Sequence, residues 1–187
     1  MKHFPPQAMP TVGWHYDRMA LVLHWLSALL LVAMTALGWT MMAIEHTPGA
    51  PLYFIVHKSV GLMVLALVVG RLLWRRSHPV PQLPSKMPAW QLRASQLVQV
   101  GLYLCMLALP LAGVAGALHS KSGLVFFGYT LPRLVAPNHD VAESYYDIHG
   151  ALVWLLVLLV CVHVAGALKH RLVDKDGVFE RMVPGRR

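Results

Sequence analysis

Between Asp147 and His170 the chain reads DIHGALVWLLVLLVCVHVAGALKH, an apolar stretch long enough, as a helix, to cross a bilayer. It carries two histidines, His149 and His163, fourteen residues apart. At about 100° per residue, fourteen steps stop roughly 40° short of four full turns, so both imidazoles leave the helix on one side. At about 1.5 Å per residue they stand roughly 21 Å apart along the axis, one towards each face of a hydrocarbon layer about 30 Å thick. A polar side chain in such a place is costly and normally faces the bundle interior and a partner. Two of them, in phase and at two depths, have the arrangement of axial ligands for two stacked haems. Each then needs a second imidazole from elsewhere in the chain.

Three further stretches reach spanning length, which predicts an all-α membrane protein, a four-transmembrane-helix bundle binding two b-type haems. With 57% hydrophobic and 13% charged residues and a mean hydropathy of +0.54, the chain has no soluble-domain composition. The expected organisation is a polar lead over 1–17, a bundle over 18–170 and a basic tail over 171–187. The spans are placed at about 18–44, 52–74, 91–118 and 147–169. Pro110 is expected to kink the third, and three prolines between Pro79 and Pro84 exclude a regular helix before it. Residues 119–146 make the longest loop, with GLVFFGYTLPRLV as an interfacial aromatic segment. The Pro-broken start has no A-x-A cleavage site, so the first span is read as retained. Cys105 and Cys161 lie inside apolar helices as packing residues, and without C-x-x-C-H any haem is held non-covalently, as type b.

Orientation follows from Lys and Arg outside the spans. The tail holds Arg171, Lys175, Arg181, Arg186 and Arg187; the second-to-third connection holds Arg75, Arg76 and Lys86; the lead holds Lys2 and Arg18. The first loop has none, and the long loop has only Lys121 and Arg133. Both termini are therefore expected in the cytoplasm. The +8 charge is explained by these flanks, and with no basic-aromatic motif the reading is no nucleic acid but membrane lipid as partner. Depth then pairs the histidines: His24 with His163 near the inner face, His57 with His149 near the outer face. The bland alternative is four separately hydrogen-bonded interior histidines, or a non-redox protein whose histidines bind a metal or packing partners. Four matched in depth favour ligation.

Gly61, Gly150 and Gly166 near these histidines would let a porphyrin approach a helix backbone, or serve close helix packing. Arg71, fourteen residues after His57, is placed either at a haem propionate or snorkelling to lipid phosphate. Lys58 adjoins His57 at the outer level as a second candidate, and with Lys121 and Arg133 it would steer a small anion. His3, His15, His46, His78 and His139 fall outside the spans, and His119 ends a helix without ligating.

LHWL around His24, HKSVG from His57, GRLLWRR closing the second span, IHGAL around His149 and VHVAGALKH from His163 resemble the bacterial cytochrome b561 family. The similarity covers the chain from about Asp17 to the tail, and the lead is longer than that family's pattern. It implies a bacterial inner-membrane protein with haem ligation by His24/His163 and His57/His149. One branch is similar to superoxide oxidases, which implies superoxide or another one-electron donor outside and ubiquinone as acceptor. The resemblance also implies a quinone site near the inner haem, with His170 at a matching position. The expectation is di-haem electron transfer from superoxide to ubiquinone; the alternative is a membrane-anchor subunit relaying electrons for a redox protein partner.

Overall fold

The computed structural model describes residues 15–78, 81 and 87–183. Its four long helices are α1 (Arg18–Ala43), α2 (Ala50–Ser77), α3 (Ala89–His119) and α4 (His139–Lys169), all apolar and long enough to span a membrane. The chain is thus an all-α, four-span membrane protein, with one small hairpin between α3 and α4. Residues 79–80 and 82–86, on which most of the expected proline-rich connection falls, lie outside the described residues, as do 1–14 and 184–187.

α1 and α4 begin at side chains that satisfy free N–H groups of the first turn, and α2 at a proline that has none. Asp17 caps α1, accepting from Ala20 N–H at 2.9 Å and from the Trp74 indole at 3.2 Å, so one carboxylate ties α1 to the end of α2. Pro51 occupies the first turn of α2, where its missing N–H is no loss. Asn138 caps α4 through Val141 N–H, and its own N–H donates to His119 O at 2.9 Å, closing the loop from α3. Burial alone would raise the Asp17 pKa, but the Ala20, Trp74 and Met19 hydrogen bonds outweigh it and hold the carboxyl below its usual value. A lowered native value stabilises the fold above the unfolded value of about 3.9, and that stabilisation disappears as pH falls through the lowered one. Asp17→Ala is expected to cost about 1 kcal/mol at pH 7, the usual worth of such a cap. In detergent melts, Asp17→Asn should keep most of the cap while losing this acid dependence.

The core is thin and central. Val64 and Val68 of α2, Cys105 and Met106 of α3 and Leu156 of α4 are buried together, flanked by Leu30, Leu31 and Met34 of α1. α3 supplies more buried positions than any other helix, six including Pro110, whereas α1 buries one residue, Ser27. Ser27 and Ser59 return their hydroxyls to carbonyls one turn back, at 2.6 Å each, which lets small polar groups sit in an apolar interior. Large apolar side chains point outwards, among them Leu29, Val32, Leu97, Trp154 and Leu158, as a lipid-facing surface requires. Cys105 packs as expected and donates to Leu152 O at 3.3 Å, but Cys161 faces outwards.

Three features differ from the sequence expectation. α4 starts at His139, eight residues before the apolar stretch, because Asn138 is a strong cap and the polar first turns project past the membrane layer. Within the long loop, β1 (Val125–Phe126) pairs antiparallel with β2 (Tyr129–Thr130). Phe127 (φ 45°) and Gly128 (φ 91°) make the two-residue turn between them, the left-handed pair such a hairpin needs. Finally, the tail is not simply solvated. It makes a π-turn over His170–Asp174 and a 3-10 turn over Glu180–Met182, burying Arg181 and offering Met182 O to the Trp25 indole at 2.7 Å.

Candidate haem sites

α1 begins, α2 finishes and α4 finishes at one end of the bundle, here the terminal end; the hairpin lies at the other, the loop end. At the terminal end His24 of α1 faces His163 of α4, ring centroids 6.2 Å apart. At the loop end His57 of α2 faces His149 of α4 at 6.1 Å. These are the two depth-matched pairs. A metal–imidazole bond is about 2.0–2.1 Å, and a ring nitrogen lies about 1.1 Å from its ring centre, so two imidazoles on opposite sides of one ion stand about 6.3 Å apart. Both separations, 6.2 and 6.1 Å, are close to that spacing.

Residues of all four helices meet at the loop-end pair. His149 Nδ1 donates to Leu109 O on α3 at 2.8 Å, which leaves Nε2 with its lone pair. Gly113, one turn further along α3, lies flat against that ring; a Cβ there would sit 3.0 Å from Nδ1. Gly38 of α1 approaches His57 in the same way, 3.4 Å from Cε1. His57 Nδ1 is buried with no hydrogen-bond partner among the described residues, the mark of a ring held for something other than its own hydrogen bonds. Lys58 turns away from this pair, its ammonium bonding Ser122 Oγ at 2.9 Å and Gly123 O at 3.0 Å. At the next residue, Ser59 Oγ accepts from Phe127 N–H at 2.7 Å. The hairpin is thereby fixed over the end of α2 that carries His57.

The terminal-end pair is built differently. Arg71 lies against His24, Nη2 to Nδ1 at 3.0 Å, rather than reaching for a lipid headgroup. A guanidinium has no acceptor, so Nδ1 accepts and a neutral His24 carries its proton on Nε2. For Nε2 to hold a metal, the proton would have to sit on Nδ1 and Arg71 would have to release that atom. Arg71 borders a small cavity with Asp17, Trp74, Arg75, Tyr103 and Met182, and its guanidinium lies 5.4 Å from the Tyr103 ring centre. A carboxylate entering there would meet two arginines. His170 sits two turns beyond His163, its Nδ1 2.7 Å from Asp176 Oδ2.

The glycines divide unexpectedly. Gly150 and Gly166, expected beside a porphyrin, have no atom within 4 Å of a Cβ position, so both leave room for a flat ligand. Gly61 meets only Met34 at 3.8 Å. The glycines that touch the histidine rings are Gly38 and Gly113. Gly38 had a sequence signal, since it follows His24 by the same fourteen residues that separate His149 from His163 and His57 from Arg71.

The model for prokaryotic cytochrome b561 matches residues 15–185. The chain belongs to that family. Family membership implies b-type haem, and the facing imidazoles fit it. Cytochrome b561 homolog 2 of Escherichia coli K12 is 33% identical over 174 residues, 90% of each chain. Cytochrome b561 homolog 1 of the same organism is 28% identical over 179 residues, 92% of this chain and 98% of that one. A Yersinia pestis protein named "Probable superoxide oxidase CybB" is 27% identical over 177 residues, 92% and 97% of the two chains. A redox role and a bacterial, multi-pass membrane location follow for this family member.

Proposed function

We propose that this cytochrome b561 family member carries electrons across the inner membrane, from a one-electron donor outside, superoxide above all, to ubiquinone near its cytoplasmic end. The observation that carries this reading is the pair of imidazole pairs, 6.2 and 6.1 Å between rings, stacked at two depths of one bundle. His24 with His163 and His57 with His149 would each hold one b haem. Bound there, the haem supplies reversible one-electron chemistry. The relative named as a superoxide oxidase supports the choice of donor.

The chain's own residues have separable tasks. Leu109 O and Gly113 fix the His149 ring by hydrogen bond and by contact. Arg71 and Arg75 line the cavity in which a haem carboxylate would be met by bidentate donors. Lys121 and Arg133, joined where Arg133 Nη2 donates to Lys121 O at 2.9 Å, place positive charge at the loop end together with Lys58. That charge would raise the local concentration of a small anion. The basic flanks support a cytoplasmic terminal end, where His170 would meet the quinone.

The test is a pulse of superoxide on the purified, oxidised protein in detergent, followed by absorbance of the b-haem bands. Rapid reduction, then reoxidation on adding a soluble ubiquinone analogue, is the expected result. Bands that stay oxidised under superoxide but reduce with a protein donor would replace superoxide by a redox partner and favour the anchor-subunit role.

A further inference from the structure

Beyond α4 the chain folds two carboxylates towards His170, and they are not equivalent. Asp174 is bonded by Lys169 Nζ at 2.6 and 2.8 Å and by Gln91 at 3.1 Å, and lies 3.5 Å from His170 Nδ1. Asp176 has no lysine on it; its cationic neighbour is Arg181, a buried guanidinium of the 3-10 turn. One of its oxygens takes His170 Nδ1 at 2.7 Å and the other accepts Val178 N–H at 3.1 Å.

The backbone is shaped to deliver Asp176. α4 loosens into the π-turn over His170–Asp174, Lys175 is left-handed at φ 50°, and Gly177 follows at φ 79°. A left-handed non-glycine costs roughly 1–2 kcal/mol, and such outliers persist where the surroundings over-determine them. The chain doubles back within six residues and sets the Asp176 carboxylate against a ring that is only 13% exposed. A further cation in this segment, Arg171, stacks on Phe179 at 4.8 Å. Gly166, one turn before His170 and three residues after His163, leaves open space beside α4 between the two histidines.

We propose that Asp176 is a positioning residue that makes His170 a directed proton donor to a quinone carbonyl. This rests on the reading of His170 as the residue facing the quinone. With Nδ1–H held by Asp176, the ring cannot turn over, and the proton it gives leaves from Nε2. Asp176 supports the doubly protonated ring before transfer and holds the proton left on Nδ1 afterwards. Reduction of one quinone to quinol takes two electrons and two protons. The electrons come from two superoxide ions oxidised to two dioxygen molecules outside. His170 gives one proton to one carbonyl oxygen and is reprotonated from the aqueous side, and water supplies the second proton. Asp174, neutralised by Lys169, has no part in this.

The experiment uses haem-loaded protein, chemically pre-reduced and mixed with a soluble ubiquinone analogue over a range of concentrations. Asp176→Asn should slow reoxidation at saturating quinone by about 10- to 100-fold, the usual effect of removing the partner that orients a functional histidine. The half-saturating quinone concentration and the haem spectrum should not move, and the solvent deuterium isotope effect should grow. Asp176→Glu should recover part of the rate, and Asp174→Asn should react like wild type. Wild-type reoxidation in Asp176→Asn, or equal slowing in Asp174→Asn, overturns the proposal. His170→Phe separates the two levels: slow His170→Phe with normal Asp176→Asn removes Asp176 alone, while normal rates in both remove the quinone reading of His170 as well.

Discussion

His163→Leu is expected to leave a folded bundle that binds one haem instead of two and no longer reduces quinone. Leucine has a similar bulk and is at home in an apolar helix, so α4 should persist. What disappears is the imidazole 6.2 Å from His24. His24 alone would not replace it, because it offers a single imidazole where the proposed site uses two. Loss of groups that merely orient a metal ligand costs 10- to 100-fold, so loss of the ligand itself should cut quinone reduction by more than about 100-fold. A haem-to-protein ratio of one, with the remaining haem still reduced by superoxide, is the expected outcome. Two haems and normal turnover would refute the assignment of His163.

The second large effect needs no change at any histidine. In Gly113→Val the new Cβ would stand 3.0 Å from His149 Nδ1 and 3.2 Å from Cε1, before its two methyl groups are counted. The ring must swing, which also breaks its bond to Leu109 O. A ligand is productive only within about 0.5 Å of its geometry, so the loop-end haem should be lost or change spectrum while the terminal-end haem remains. Gly113→Ala should show a weaker version of the same change. Gly70→Ala, at a position with nothing within 4 Å of the added atom, is the control and should keep both haems. If Gly113→Val binds two haems with unaltered spectra, the packing of α3 on His149 does not matter to the site.

What could be read from the residues alone was set by periodicity. Four spans follow from hydropathy, and the common side of His149 and His163 from their fourteen-residue spacing, because a membrane helix is straight enough for phase to persist over four turns. The pairing of His24 with His163 and of His57 with His149 follows from the depths that the Lys and Arg flanks assign. Contacts made by backbone were not legible in that way. Leu109 O has no sequence identity to notice, and Gly113 looks like any small residue in a helix that is rich in them. That Arg71 lies on His24 depends on its rotamer and not on the span, so the contact could not be read from the sequence. The DKDG run at 174–177 signalled a turn, but not which of its two aspartates would meet His170. The return of Met182 to Trp25 joins residues 157 apart and has no local signature.

The sparse burial of α1 has a consequence for how much of this protein a cell can keep. α1 buries only Ser27 and α4 only Ala142 and Leu156, yet these two helices carry three of the four paired histidines. Lipid tails offer such helices nearly what another helix would, so apolar surface alone does little to hold them together. A ligand that binds the folded chain and not the unfolded one adds stability that grows with the logarithm of its concentration. For a bundle whose outer helices meet across paired imidazoles, prosthetic-group supply becomes a term in protein turnover: chains made during iron or porphyrin shortage are the ones that membrane proteases remove first.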